Sequence, residues 1–161
     1  MQRKIVLAVA MLCGLASVAR AHVTLEQGQA APGDHYKGVL QLGHGCDGAA
    51  TTAVRIRLPE GVIAVRPMLK PGWEIETVLA GGEVREIVWS GGSVPDDRFD
   101  EFVFLSTLPE VPDGTVLYFP VIQECAEGVH RWIEIPEPGE DPDDLPEPAP
   151  GVTLTAPRDG H

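Results

Sequence analysis

The chain has 161 residues, a formal net charge of −12 at pH 7 and a hydrophobic content of 43%. This length is typical of a single domain with its own core. The acidic excess argues against nucleic acid and anionic membranes as partners, and it favours solubility and the attraction of cations. Neither a G-x-x-x-x-G-K phosphate loop nor a G-x-S-x-G nucleophile motif is present, so we expect a protein that is not an enzyme.

The first 21 residues predict a cleaved secretory signal peptide. Arg3 and Lys4 precede an apolar run over residues 5–18, and the segment ends on the small-residue pattern Ala19-Arg20-Ala21. The apolar run is short for a membrane span and no second one follows, so we expect a periplasmic or secreted protein without a span after cleavage. An uncleaved anchor is the alternative. Cleavage removes three of the 12 basic residues and none of the 24 acidic ones, which makes the formal charge about −15.

Alternating polar and apolar residues, separated by turn residues, predict a series of short β-strands. In residues 51–58, for example, Val54 and Ile56 face one way and Arg55 and Arg57 face the other. The further runs of this kind are 23–25, 36–42, 62–65, 73–79, 84–89, 101–108, 115–123 and 129–135. Since helical periodicity is absent, we expect an antiparallel β-sandwich of immunoglobulin or fibronectin type III kind, with a small barrel as the alternative.

The composition changes after Pro136. Glu, Asp and Pro dominate from there to Pro150. A segment of this composition cannot bury enough apolar surface to offset the entropy lost on ordering. We therefore predict that the folded domain spans residues 22–136 and that residues 137–161 form a disordered acidic tail.

Two cysteines remain after cleavage, because Cys13 lies in the signal peptide. Cys46 and Cys125 are an even pair in an oxidising compartment, which predicts a disulfide. A copper(I) thiolate site is the alternative. A bridge would bring His44 and His130 near one end of the sandwich, where each is either an additional ligand, part of a second weak site or a bystander.

Cleavage after Ala21 makes His22 the first residue of the mature chain. A terminal histidine offers its α-amino nitrogen and its imidazole Nδ1, which can chelate one metal ion in a six-membered ring. Copper(II) is the natural candidate, because it favours such nitrogen ligands and heads the affinity order of the divalent ions. The alternative is that a histidine stands at the cleavage site by coincidence.

Several segments together resemble the YcnI-like family of secreted copper-binding domains, over residues 22–136. They are the start at residues 22–25, the corner Cys46-Asp47-Gly48 followed by Thr51-Thr52, the strand end Leu58-Pro59, the segment Lys70-Pro71-Gly72-Trp73 and the ending Cys125-x-x-Gly128-x-x-x-Trp132.

The resemblance implies a fibronectin-like sandwich that holds one copper(II) at its amino terminus in a brace made by a single histidine, His22. It also implies a carboxylate ligand from a loop between early strands and a tryptophan beside the ion. Trp132 matches the tryptophan. The family carboxylate is a glutamate, and Asp47 is the best positional match. Glu26 and Glu124 are alternatives, and both Asp47 as a turn residue and Trp132 as ordinary core stay open.

We accordingly expect a copper(II)-binding protein of copper trafficking or homeostasis. Its expected partners are the copper ion and either a periplasmic copper chaperone or a membrane copper transporter. Two alternatives remain from the sequence. One is a copper-dependent oxidative enzyme, and the other is a metal-free extracytoplasmic interaction module.

Overall fold

A computed structural model describes residues 22–156, so the expected signal peptide lies outside the described residues. Within this range the chain forms twelve strands and one short 3₁₀ turn at Pro142–Asp144, and it contains no α-helix. No helix there is long and apolar enough to cross a membrane. The strands are β1 (Thr24–Leu25), β2 (Gln29–Ala30), β3 (His35–Leu42), β4 (Thr51–Arg57), β5 (Ile63–Pro67), β6 (Glu74–Ala80), β7 (Glu83–Val94), β8 (Asp100–Thr107), β9 (Val116–Tyr118), β10 (Val121–Cys125), β11 (Val129–Trp132) and β12 (Gly151–Leu154).

Two larger sheets form the body of the sandwich. One has the strand order β1-β3-β8-β5, the other has the order β11-β10-β4-β7-β6, and both are antiparallel throughout. A third sheet has the order β2-β12-β9. The inner faces of the two larger sheets meet where Trp89 of β7 packs edge-on against Phe102 of β8, with ring centroids 5.4 Å apart. The predicted antiparallel β-sandwich is confirmed.

The alternation in the sequence accounts for the core. On β4, Val54 and Ile56 are fully buried whereas Arg55 is exposed. On β3, Tyr36 and Leu40 face inward in the same way. Each strand therefore contributes one apolar face to a common core, which is the expected result of period-two patterning.

One strand extends beyond the run 84–89 that the sequence predicts. β7 continues from Trp89 to Val94, and it stays paired with β4 across a bulge. Gly91 adopts a positive φ of 76°, and a side chain at Gly92 would collide with the ring of Trp73. Backbone conformation therefore requires glycine at Gly91, and close packing requires it at Gly92. Because these small residues interrupt the alternation of apolar and polar side chains, this part of the strand is not apparent from the sequence.

The predicted strand 115–123 is two strands. β9 and β10 are separated at Phe119 and Pro120, and Pro120 has no N–H for a sheet ladder. Phe119 instead donates its N–H to the carbonyl oxygen of Pro150 at 2.8 Å, which draws the chain toward the third sheet. The interruption lets one stretch of chain serve two sheets.

The prediction of a disordered tail from residue 137 is wrong for residues 137–156, whereas residues 157–161 lie outside the described range. β12 is the middle strand of the third sheet, and its Val152 and Leu154 are fully buried. The average composition of the tail conceals this short apolar run. The prolines beside it, Pro148 and Pro150, also limit the freedom of the unfolded chain, which lowers the entropy cost of ordering. The folded domain therefore extends well beyond residue 136.

The buried Tyr36 makes the stability of the fold depend on pH in the alkaline range. It is 2% exposed, and its hydroxyl donates a hydrogen bond to the backbone oxygen of Gln27 at 2.8 Å. Burial, with a smaller effect from the negative charge of Glu26, raises the pKa of Tyr36 to about 12. An unfolded tyrosine titrates near pH 10. The stabilising contribution is therefore complete below about pH 10 and is lost as the pH rises toward 12.

We expect the free energy of unfolding to fall by up to about 3 kcal/mol between pH 10 and 12 through this group alone. Urea denaturation of the wild type and of Tyr36→Phe across this range isolates the effect, because all other groups are shared. The difference between the two proteins should shrink or reverse as the pH rises. Parallel pH profiles would show that Tyr36 does not ionise later in the folded state.

Candidate metal centre

The predicted tryptophan is held in place by a buried hydrogen-bond network. Trp132 lies on β11, is 3% exposed, and donates its indole N–H to Oε1 of Gln123 at 3.0 Å. Gln123, fully buried on β10, donates its amide N–H groups to the backbone oxygen of His44 at 2.8 Å and to Oγ1 of Thr51 at 2.9 Å. Both ends of the Gln123 amide are satisfied, so the indole is fixed in orientation relative to the corner that precedes β4.

Three imidazoles surround this indole. The ring centroid of Trp132 lies 5.9 Å from that of His22, 6.2 Å from that of His44 and 5.1 Å from that of His130. They come from the start of the described chain, from the corner before Cys46 and from β11. The structure therefore brings together His22 and Trp132, which the sequence predicted for one site, and it adds two histidines. The role of His22 and Trp132 at a metal stays a prediction.

The His22 ring is partly buried, and one of its nitrogens is unusual. Nε2 is shielded from solvent and has no hydrogen-bond partner among residues 22–156. A buried polar atom without a partner costs about 1–3 kcal/mol, and such atoms are uncommon outside strained or functional positions. An amino-terminal chelate uses the α-amine and Nδ1, so burial of Nε2 is compatible with that arrangement.

Asp47 occupies a tight turn. Asp47 and Gly48 have φ values of 49° and 92°, and they are closed by two hydrogen bonds between Cys46 and Ala49, of 3.0 and 2.9 Å. Positive φ at both central residues is the requirement of a two-residue type I′ turn. The interpretation of Asp47 as a turn residue is therefore confirmed, while its role as a ligand stays a prediction.

His22 and the candidate carboxylate Asp47 line different clefts, whereas the sequence predicted them for one site. His22 lines a cleft of about 350 Å³ together with Asp143 of the 3₁₀ turn. Asp47 is exposed and lines a different cleft, beside the disulfide, together with Glu127. The alternative carboxylates Glu26 and Glu124 are exposed as well.

Glu147 was not predicted as a site residue, because it lies in the segment that was predicted to be disordered. Its Oε1 accepts a hydrogen bond from Nδ1 of His130 at 2.7 Å, and its Oε2 accepts one from the backbone N–H of Arg131 at 3.0 Å. The same segment is joined to Glu134 through hydrogen bonds in both directions. Gln123 was also missed as an anchor, although its position two residues before Cys125 on an alternating strand pointed inward.

The predicted disulfide is confirmed. Cys46 and Cys125 are bonded, with Cα atoms 6.0 Å apart and a sequence separation of 79. Sγ of Cys125 lies 3.7 Å from Oγ1 of Thr51, which belongs to the network that holds Trp132. The bridge therefore lies at the same end of the sandwich as Trp132 and His22.

No set of three His, Cys, Asp or Glu side chains within residues 22–156 is arranged to hold one metal ion. A single-histidine brace does not require such a set, because one terminal residue supplies two of the donor nitrogens. The chemistry of the donors at His22 thus fits copper(II), which favours imidazole and amine nitrogens.

The chain is similar to known proteins in family and in fold. A family model described as "Domain of unknown function (DUF1775)" matches residues 22–154. An uncharacterised protein from Nocardia farcinica, whose crystal structure is described as an immunoglobulin-like fold, aligns with a TM-score of 0.69 and 28% identity, over 84% of this chain and 99% of that one. A cohesin module from a family 33 glycoside hydrolase of Clostridium perfringens aligns with a TM-score of 0.51 and 12% identity, over 84% and 96%. None of the curated proteins matches. The immunoglobulin-like fold is confirmed, and the cohesin likeness concerns the fold alone.

Proposed function

We propose, since this chain belongs to the DUF1775 family, that it is an extracytoplasmic copper(II)-binding protein of the YcnI-like kind. Signal cleavage makes His22 the amino terminus, and one copper(II) is held per chain. The protein binds the ion and exchanges it with a partner, either a periplasmic copper chaperone or a membrane copper transporter. Its role is copper trafficking or homeostasis.

The observation that carries this proposal is the contact between His22 and the buried Trp132. Their ring centroids are 5.9 Å apart, and the unpartnered Nε2 of His22 is turned away from solvent. In the proposed site the α-amine and Nδ1 of His22 hold the ion. Asp47 lines a separate cleft, and its assignment as the carboxylate ligand rests on the family resemblance alone. Bound copper(II) contributes a cation with exchangeable coordination positions, which suits transfer between proteins.

The chain's own residues prepare the site in two ways. Trp132 lies beside the His22 ring, with centroids 5.9 Å apart, and Nε2 of that ring is shielded from solvent. The hydrogen bonds from Trp132 to Gln123 and from Gln123 to Thr51 keep that indole in place. A ligand ring that is held before the ion arrives loses less conformational freedom on binding.

The role of Asp47 is tested by Asp47→Asn. Asparagine tolerates the positive φ of 49° at this position and keeps the turn, whereas alanine would strain it. Loss of the charged ligand should weaken copper(II) binding about tenfold, measured by competition titration of a mature chain that begins at His22. Glu127→Gln is the matched control, since Glu127 lines the same cleft. Equal affinities of Asp47→Asn and wild type would remove Asp47 from the ligand set.

A further inference from the structure

We infer that the disulfide between Cys46 and Cys125 is a redox-controlled copper(I) site. When an external dithiol reduces the bond, the two thiolates that result bind one copper(I) ion. Soft thiolate ligands select copper(I), whereas the imidazole and amine of His22 suit copper(II). The site does not use the amino terminus, so it goes beyond the function proposed above and does not depend on it.

The disulfide is reached through an open cleft of about 650 Å³. Cys46 is only 4% exposed, and it is the cysteine of the pair that lines this cleft. A side chain at Gly128 would lie 3.5 Å from Cβ of Cys46, so glycine there leaves the approach open. Asp47 and Glu127 also line the cleft, and their negative charges attract cations to it. A reductant and a copper ion therefore reach the cysteine pair from the same side.

The reduction is a thiol–disulfide exchange. A thiolate of the dithiol attacks Sγ of Cys46 from the cleft, the bond to Cys125 breaks, and the electron pair of that bond goes to Sγ of Cys125. The second thiol of the reagent then displaces Cys46 from the mixed disulfide. The dithiol is oxidised to a disulfide, the two cysteines are reduced by two electrons, and the two protons of the dithiol pass to them. Copper(I) displaces these protons when it binds.

The leaving sulfur has a hydrogen-bond donor beside it. Oγ1 of Thr51 lies 3.7 Å from Sγ of Cys125. A disulfide sulfur carries no hydrogen, so the hydroxyl of Thr51 is the donor, while its oxygen accepts a hydrogen bond from Gln123 at 2.9 Å. A hydrogen bond to the charged form of a group stabilises that form. Thr51 therefore favours the negative charge that develops on Cys125 as the bond breaks.

Backbone hydrogen bonds hold both cysteines in place independently of the disulfide. Cys46 and Ala49 exchange two of them, of 3.0 and 2.9 Å, and Cys125 donates its N–H to the carbonyl oxygen of Gly128 at 3.1 Å. The Cα atoms of the two cysteines are 6.0 Å apart. Metal–thiolate bonds of about 2.3 Å place the sulfurs of a linear two-coordinate ion about 4.6 Å apart. Rotation of the side chains about their Cα–Cβ bonds reaches this separation while the backbone stays where it is.

The test compares the oxidised mature chain, which lacks Cys13, with the same chain after reduction by dithiothreitol and removal of the reagent without oxygen. Copper(I) binding is measured by competition with bicinchoninate. We expect the reduced chain to bind one more copper(I) ion than the oxidised chain, together with a new ultraviolet absorption from thiolate-to-copper(I) charge transfer. The double variant Cys46→Ser, Cys125→Ser is the matched control. It should gain no copper(I) after the same treatment, because a serine hydroxyl does not replace a thiolate.

The His22→Ala chain should show the same gain on reduction, which separates this site from the His22 chelate. Circular dichroism of the reduced chain should match that of the oxidised chain. One equivalent of copper(I) should raise the urea midpoint of the reduced chain, since an ion that binds the folded state stabilises it. Equal copper(I) uptake before and after reduction would overturn the inference and leave the proposed function untouched. Loss of the fold on reduction would overturn it as well, because the backbone would no longer hold the thiols together.

Discussion

Four alanine residues placed before His22 are expected to lower the copper(II) affinity of the mature protein's tightest site at least about 100-fold. The extension separates the α-amine from the His22 imidazole by several residues, so the two nitrogens can no longer close one small chelate ring. The side chains of the sandwich are unchanged. Competition titration against a chelator of known copper(II) affinity, at neutral pH, measures the loss of affinity.

Two comparisons make this result specific. Four alanines placed after His161 should have no effect, because they alter chain length without touching the amine. His22→Ala should match the amino-terminal extension within a few-fold, because each removes one half of the same chelate. An extended chain that keeps wild-type affinity would show that the amine is not a ligand.

Truncation after Pro136 is expected to cost at least about 4 kcal/mol of stability and to abolish cooperative thermal unfolding. It removes β12, whose Val152 and Leu154 are fully buried. Deletion of one buried leucine side chain alone costs about 2–5 kcal/mol, and here the backbone partners of β2 and β9 are lost as well. Circular dichroism during heating of the truncated and full mature chains measures the difference.

The matched control is truncation after Ala156, which removes only residues 157–161 and keeps the contacts that β12 makes within residues 22–156. It should unfold at the wild-type midpoint. If the chain that ends at Pro136 also unfolded there, β12 would be dispensable and the domain would end where the composition changes.

Period-two patterning was sufficient to predict most of the sandwich. Strands such as β4 follow from alternation that is visible over seven residues, from Thr51 to Arg57. β12 could not be predicted in this way, because its four residues are too short for a periodic signal and the acidic, proline-rich sequence around them dominates any average. Its order comes from pairing with two distant strands, which is a tertiary effect.

The candidate site shows the same division. Local sequence indicates that His22 offers a chelate once the signal peptide is cleaved, and the resemblance to a known family indicates Trp132. Their contact joins residues 110 positions apart in sequence, so spacing alone could not establish it. The hydrogen bond between His130 and Glu147 could not be predicted either, since Glu147 lies in a segment whose composition is typical of disorder. For Asp47 the sequence permits two roles. The residue matches a ligand position of the family, and it also adopts the positive φ that its turn requires.

The central claim is that copper(II) is held by His22 as the first residue of the mature chain. The most direct test is the intact mass of the protein purified after export by its native route, recorded with and without one equivalent of copper(II). The account predicts a chain that begins at His22 and gains the mass of one copper ion. A retained signal peptide, an amino terminus elsewhere, or a chain beginning at His22 that takes up no copper would contradict it.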